Sequence, residues 1–271
     1  MKVLNGIAGV ALAASFSLPA AAAGPGPAAD LLPHRAAYHL TLGDIDSSSP
    51  VIQAQGRLDF EWSDACDGWV VQQRFRVRMA YEDGLLADFG WTLSSWESKD
   101  GKRYRFFIRR FSGGNEIERV RGEATLGADG TGRATFSEPE VREIALPAGT
   151  LFPTQHTIDV LAGAGAAESP LWRLVFDGSG DEGLFGVSAA LSRSLPAGAR
   201  TQIASPLIAQ VPSWRFNLAF FGIDESNAEP EQEQGLRLFA NGVVDEMRLN
   251  YGDFILNADL NRVEALPVPD C

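Results

Sequence analysis

Val51-Ile-Gln-Ala-Gln-Gly-Arg-Leu-Asp-Phe-Glu-Trp62, followed by Asp67-Gly68 and then by Trp69-Val-Val-Gln-Gln-Arg-Phe-Arg-Val-Arg-Met79, is the stretch that decides the fold class. Ile52, Ala54, Gly56, Leu58, Phe60 and Trp62 fall on one side of the first run. Val71, Phe75, Val77 and Met79 fall on one side of the second, with arginines on the other. Successive side chains of a strand point to opposite faces, so this period of two marks two half-buried strands. The Asp-Gly pair between them tolerates positive φ and favours a tight hairpin turn.

The same punctuation recurs at Asp83-Gly84, Asp100-Gly101, Asp129-Gly130, Asp177-Gly178 and Asn241-Gly242. Tyr104, Phe106 and Ile108 alternate with Arg105, Phe107 and Arg109, while Leu236, Leu238 and Ala240 lead into the last of these turns. Met247, Leu249 and Tyr251 share a side of the next run. Short alternating strands at turn-spaced intervals predict an all-β, antiparallel chain of about 14 strands. No repeat of fixed period is present, which argues against a propeller. One segment breaks the alternation. Ile158, Leu161 and Ala162 have helical spacing, so one short helix is expected over residues 154–163, capped by Thr154 and ended by glycines. Such a helix could plug or cover one opening of a curved sheet.

The N-terminus carries Lys2, an apolar run from about Gly6 to Leu18 and then Ala20-Ala21-Ala22-Ala23. This is the layout of a secretory signal peptide over residues 1–23, with 24–30 a flexible leader and 31–271 a single domain. No second long apolar run follows, so the exported product is expected not to span a membrane, with the periplasm the favoured compartment. Two cysteines remain, Cys66 and Cys271, and the second is the last residue. In an oxidising compartment a disulfide that ties the tail to the early strands is the economical reading, and two free thiols the alternative. The formal net charge of −12 argues against nucleic acid as a partner and equally against simple electrostatic adhesion to anionic lipid.

Chemistry is scarce. His34, His39 and His156 have no metal-ligand spacing, and no Gly-x-Ser-x-Gly elbow or phosphate-binding glycine loop occurs. Neither a metal nor a cofactor is expected. His156 and Asp159 share a helix face and could form an acid–base pair, but a polar first helical turn is the plainer reading. Asp64 and Asp67 beside Cys66 read as turn residues. Trp69, Trp96, Phe106, Phe152 and Phe176 belong to an aromatic set spread over the predicted strands. Such a set either packs a core or lines an apolar groove able to take an acyl chain or a peptide.

Several ordered stretches carry a resemblance. They are Cys66-Asp67-Gly68-Trp69, Trp96-Glu97-Ser98-Lys99-Asp100-Gly101, Tyr104-Arg105-Phe106 and Leu151-Phe152-Pro153-Thr154-Gln155-His156, then Val175-Phe176-Asp177-Gly178, Asn241-Gly242-Val243, Tyr251-Gly252-Asp253-Phe254 and the ending Leu266-Pro267-Val268-Pro269-Asp270-Cys271. As a set the chain resembles the EipB-like cell-envelope integrity family over about Leu31 to Cys271. The resemblance implies a periplasmic β-spiral around or beside a central helix, a disulfide between Cys66 and Cys271, and a role in envelope integrity without known catalytic residues. The expectation is therefore a non-enzymatic protein that binds a lipid, a lipoprotein or a periplasmic protein partner. A scaffold with a packed interior is the alternative, and an envelope hydrolase is a more remote one. A spiral leaves its last strand as an open edge. Joining Cys271 to Cys66 would hold that edge against the early strands.

Overall fold

The structure is a computed structural model, and it describes residues 31–166, 168–180, 182–223 and 229–271. The expected signal peptide and leader lie outside the described residues. In chain order the elements are β1 (His34–Ile45), β2 (Val51–Asp64), β3 (Gly68–Tyr81), β4 (Leu86–Ser98), β5 (Arg103–Ser112), β6 (Asn115–Leu126), β7 (Gly132–Glu138), β8 (Arg142–Leu146), β9 (Thr150–Leu151), α1 (Pro153–Gly165), β10 (Leu171–Phe176), β11 (Leu184–Leu195), β12 (Ser213–Gly222), β13 (Gln232–Phe239), β14 (Val244–Asn250) and β15 (Phe254–Ala265). Among the described residues there are fifteen strands, and all belong to one sheet, in the order 8-7-6-5-4-3-2-1-15-14-13-12-11-10-9. Every pairing is antiparallel except that of β9 with β10.

Alternation and turn chemistry produce this meander. In five of the six Asp-Gly or Asn-Gly pairs the glycine has φ between 66° and 86°. At the sixth, Cys66 takes the left-handed conformation instead, with φ 64°. The Asp64 carboxylate accepts the Cys66 N–H at 2.8 Å, a local bond that helps hold this rare conformation. One inward assignment fails. Ile52 is 56% exposed, because a register shift between Val51 and Gln53 turns Val51 into the core in its place.

The strand order also corrects the expected edge. β15 lies inside the sheet, paired with both β1 and β14. The free ends of the ladder are β8 and β9, in the middle of the chain. Side chains rather than a hydrogen-bonded ladder bring these ends together. Tyr104, Phe106, Ile108, Val120, Ala124, Phe136 and Leu146 from β5–β8 form one buried cluster with Phe152, Phe176 and Leu184. The result is a nearly closed barrel. A second cluster joins β1–β3 to β13–β15, and the β11–β12 connection adds Ile208 to it. In a third, Val160, Leu161 and Ala164 of α1 pack with Trp62, Phe216, Leu218 and Leu238.

Candidate functional site

Helix α1 starts from Phe152, which is fully buried in the aromatic cluster, and Pro153 takes the first helical position. Thr154 does not cap it. Its backbone N–H and that of Gln155 both donate to the Glu97 carboxylate of β4, at 2.7 and 2.8 Å. Two of the stretches quoted above thus meet in space, the Trp96–Gly101 turn and the Leu151–His156 entry to the helix. Glu97 is buried, and burial lifts its carboxyl from the usual 4.5 to about 7 despite the two N–H donors. The side chain on β4 replaces the local cap that the sequence suggested, because Phe152 must point into the core.

The remaining sequence-selected residues separate into distinct places. Phe106, Phe152 and Phe176 come together, with ring centroids of 5.7 Å for Phe106–Phe176 and 6.4 Å for Phe152–Phe176. They close-pack the barrel seam. Trp69 packs edge-on to Trp62 at 5.9 Å, and the Lys99 ammonium lies 3.1 Å from its ring centroid. Arg103 and Arg105 stand over the Trp96 ring, at 5.3 and 5.1 Å. His156 is buried on α1, and burial lowers its pKa to about 4, so the ring is neutral. Its Nε2 has no hydrogen-bond partner among the described residues. Asp159 instead accepts from Arg173 at 2.5 Å. A base poised near neutral pH is not assembled there. Cys66 and Cys271 are joined, with Cα atoms 5.8 Å apart. Among the described residues no group of three or more His, Cys, Asp or Glu side chains could hold a metal ion.

The cavity lies elsewhere, at the end of the barrel marked by the β3–β4, β5–β6 and β14–β15 turns. Its volume is about 780 Å³. Phe75, Val77 and Met79 of β3 and Trp91 of β4 form one wall, and Phe254 and Leu256 of β15 face them. Phe75 and Trp91 stack with centroids 5.6 Å apart and planes 5° from parallel. Tyr251 and Phe254 stack at 5.2 Å. Its polar lining residues are Arg110, Glu231, Gln232, Glu233 and Asn250, near strand ends and turns around the mouth, and Arg110 is paired with Glu118. Size, apolar walls and a few polar rim groups are the features of a small-molecule or acyl-chain pocket. Trp69, Trp96, Phe106, Phe152, His156 and Phe176 are not among its lining residues. Phe75 belongs to the alternating pattern of the second strand run, but nothing in the sequence separates it or Trp91 from core aromatics.

Comparisons with known proteins agree with this architecture. A family model described as EipB-like matches residues 25–267. The cell envelope integrity protein EipB of Brucella abortus (strain 2308) is 27% identical over 248 residues, covering 90% of this chain and 88% of the relative. A crystal structure of a β-barrel-like protein of domain of unknown function DUF1849, also from Brucella abortus, superposes with a TM-score of 0.80 at 26% identity. It is matched over its full length and 89% of this chain. With the family pattern spanning almost the whole barrel and a solved barrel of the same shape, the chain belongs to the EipB-like family.

Proposed function

We propose that this protein supports the cell envelope from the periplasm by binding the acyl chain of a lipid or lipoprotein, without catalysis. The apolar mouth carries this reading: about 780 Å³ walled by Phe75, Val77, Met79, Trp91, Phe254 and Leu256. Apolar walls of this kind recognise chain length and shape and leave chemistry to others. The name of the Brucella abortus relative, cell envelope integrity protein, supports the cellular role. The signal-peptide pattern of residues 1–23 and the leader 24–30 support export, and the Cys66–Cys271 disulfide suits an oxidising compartment. Residues 31–271 are read as one domain, since a single sheet runs through them and the disulfide ties the β2–β3 turn to Cys271.

Native mass spectrometry of the protein purified gently from a periplasmic extract tests the binding step. Co-purifying lipid, lost in Trp91→Glu, is the expected result. Protein that carries no lipid and takes none from vesicles would overturn it. A second reading has its own observation. β8 has a strand neighbour on one side only, so its other edge could accept a strand from a protein partner.

A further inference from the structure

The outer face of strands β1–β5 carries a second cavity, a groove of about 960 Å³. Arg57, Arg74, Arg76, Arg78 and Arg109 line it, against a single carboxylate, Asp88. This collection of positive charge stands on a chain whose formal net charge is −12. Register explains how it is built. His39, Arg57, Arg76, Gly90 and Phe111 form one lateral row across five strands. Asp59, Arg74, Thr92 and Arg109 form the next, and Arg109 is paired with Glu116 at 2.6 Å. Between Arg74 and Arg76 of β3 and Arg109 and Phe111 of β5, strand β4 places the small Thr92 and Gly90, with Asp88 opposite Arg78 at one end, so the middle of the face is low.

Two features separate this groove from an ordinary charged surface. Arg57 and Arg76 are directly opposite each other across β2 and β3, an arrangement that repels and weakens a sheet. Arg57 is relieved by Asp59 at 2.6 Å, and Arg78 by Asp88 at 2.9 Å. Arg74 and Arg76 are exposed and have no ion-pair or hydrogen-bond partner among the described residues. These two free forks, of which Arg76 belongs to the like-charge pair, are complementary to an anion, which guanidinium groups bind bidentately. The second feature is proximity to the mouth. Phe75, Val77, Phe89, Gly90, Trp91 and Phe111 line both cavities. A register shift between Arg110 and Phe111 turns the strand at this rim.

We infer that the groove seats the anionic headgroup of an acidic phospholipid whose acyl chain enters the mouth, with Arg74 and Arg76 as the headgroup contacts. The inference rests on the acyl-chain reading of the mouth and adds the class of headgroup. It is tested with delipidated protein and vesicles of phosphatidylglycerol and phosphatidylethanolamine with identical acyl chains, mixed one to three. The protein is separated and its bound lipid quantified by mass spectrometry. Wild type should carry phosphatidylglycerol enriched about tenfold over the vesicle ratio. Arg74→Gln/Arg76→Gln should fall back to that ratio while total lipid per protein stays within about twofold. Both side chains are exposed, so this variant keeps the fold, and its circular dichroism should match wild type. Arg133→Gln, which lies outside the groove, should keep the enrichment. Lipid bound at the vesicle ratio by wild type, or equal enrichment in the double variant, overturns the headgroup assignment and leaves the mouth standing. No lipid on any of the proteins overturns both.

Discussion

Glu97 should make this protein less stable at pH 8 than at pH 5, and Glu97→Gln should remove that loss. The carboxyl is buried on β4, and burial raises it from 4.5 to about 7. Folded protein therefore holds this proton more tightly than unfolded chain. Below 4.5 both states are protonated and the group's contribution is complete. As pH rises through about 7 the folded state must ionise a buried group, and stability falls. A displacement of that size corresponds to about 3 kcal/mol. Gln keeps the volume and one acceptor, but its amide N–H₂ faces one of the two N–H groups of α1. That mismatch costs about 1–3 kcal/mol at every pH.

Urea unfolding by circular dichroism, in buffers from pH 5 to pH 8, gives the difference between the two proteins. Wild type should be the more stable at pH 5, and its advantage should shrink by about 3 kcal/mol by pH 8. Other titrations cancel in the subtraction. These include His34 and His156, which burial pushes down and which act in the opposite sense, adding stability as pH rises towards 6.5. A difference that stays flat with pH, or that grows in favour of wild type, would refute the reasoning. It would mean that the two helix N–H donors outweigh burial and hold Glu97 ionised.

Three further substitutions probe separate parts of the barrel. Cys271→Ser opens a link across 205 residues, and loop-closure entropy puts the loss at about 5 kcal/mol at most; urea unfolding with and without reductant checks it, and an unchanged midpoint in reductant would be contrary. Gly178→Ala would place a Cβ 2.4 Å from the Phe106 ring at φ 77°, so thermal melting should show a loss of more than about 2 kcal/mol. Arg237→Leu leaves the fully buried Asp245 without the guanidinium 3.4 Å away, and chemical denaturation should report a loss of about 3–5 kcal/mol, larger than for Arg237→Leu/Asp245→Asn.

Local chemistry was readable in the sequence, and contacts between distant segments were not. Alternation and the Asp-Gly pairs give the strands and most turns, since both act within a few residues. The helix is readable too, starting at Pro153 rather than Thr154. Its cap was not, because Glu97 lies 57 residues before Thr154 and reaches it only once the barrel has rolled up. The edge strands were misplaced for the same reason. Nothing local shows that β1 pairs with β15, and that one pairing moves the free ends from the termini to β8 and β9. The arginines of β3 show as the outward half of an alternating strand, but the row they form with Arg57 and Gly90 exists only in the register of five strands.

The mouth follows from the way the sheet closes. A barrel closed by a continuous ladder has its strand tilt and diameter linked along the whole wall. Here the ladder stops at β8 and β9, and Phe106, Phe136, Phe152 and Phe176 bridge the gap with rings. The closing strands are short: β8 has 5 residues and β9 has 2, whereas β3 has 14 and β4 has 13. The long strands therefore run on beyond the level at which the seam is packed. Their inward residues there, Phe75, Val77 and Met79, are buried with Leu256 in the second cluster, and with the half-buried Trp91 and Phe254 they line the cavity towards the β14–β15 turn and the start of β13. Apolar side chains that continue past the packed seam become the lining of a cavity. A single pattern thus gives a close-packed seam where opposite strands meet and a binding mouth where they do not.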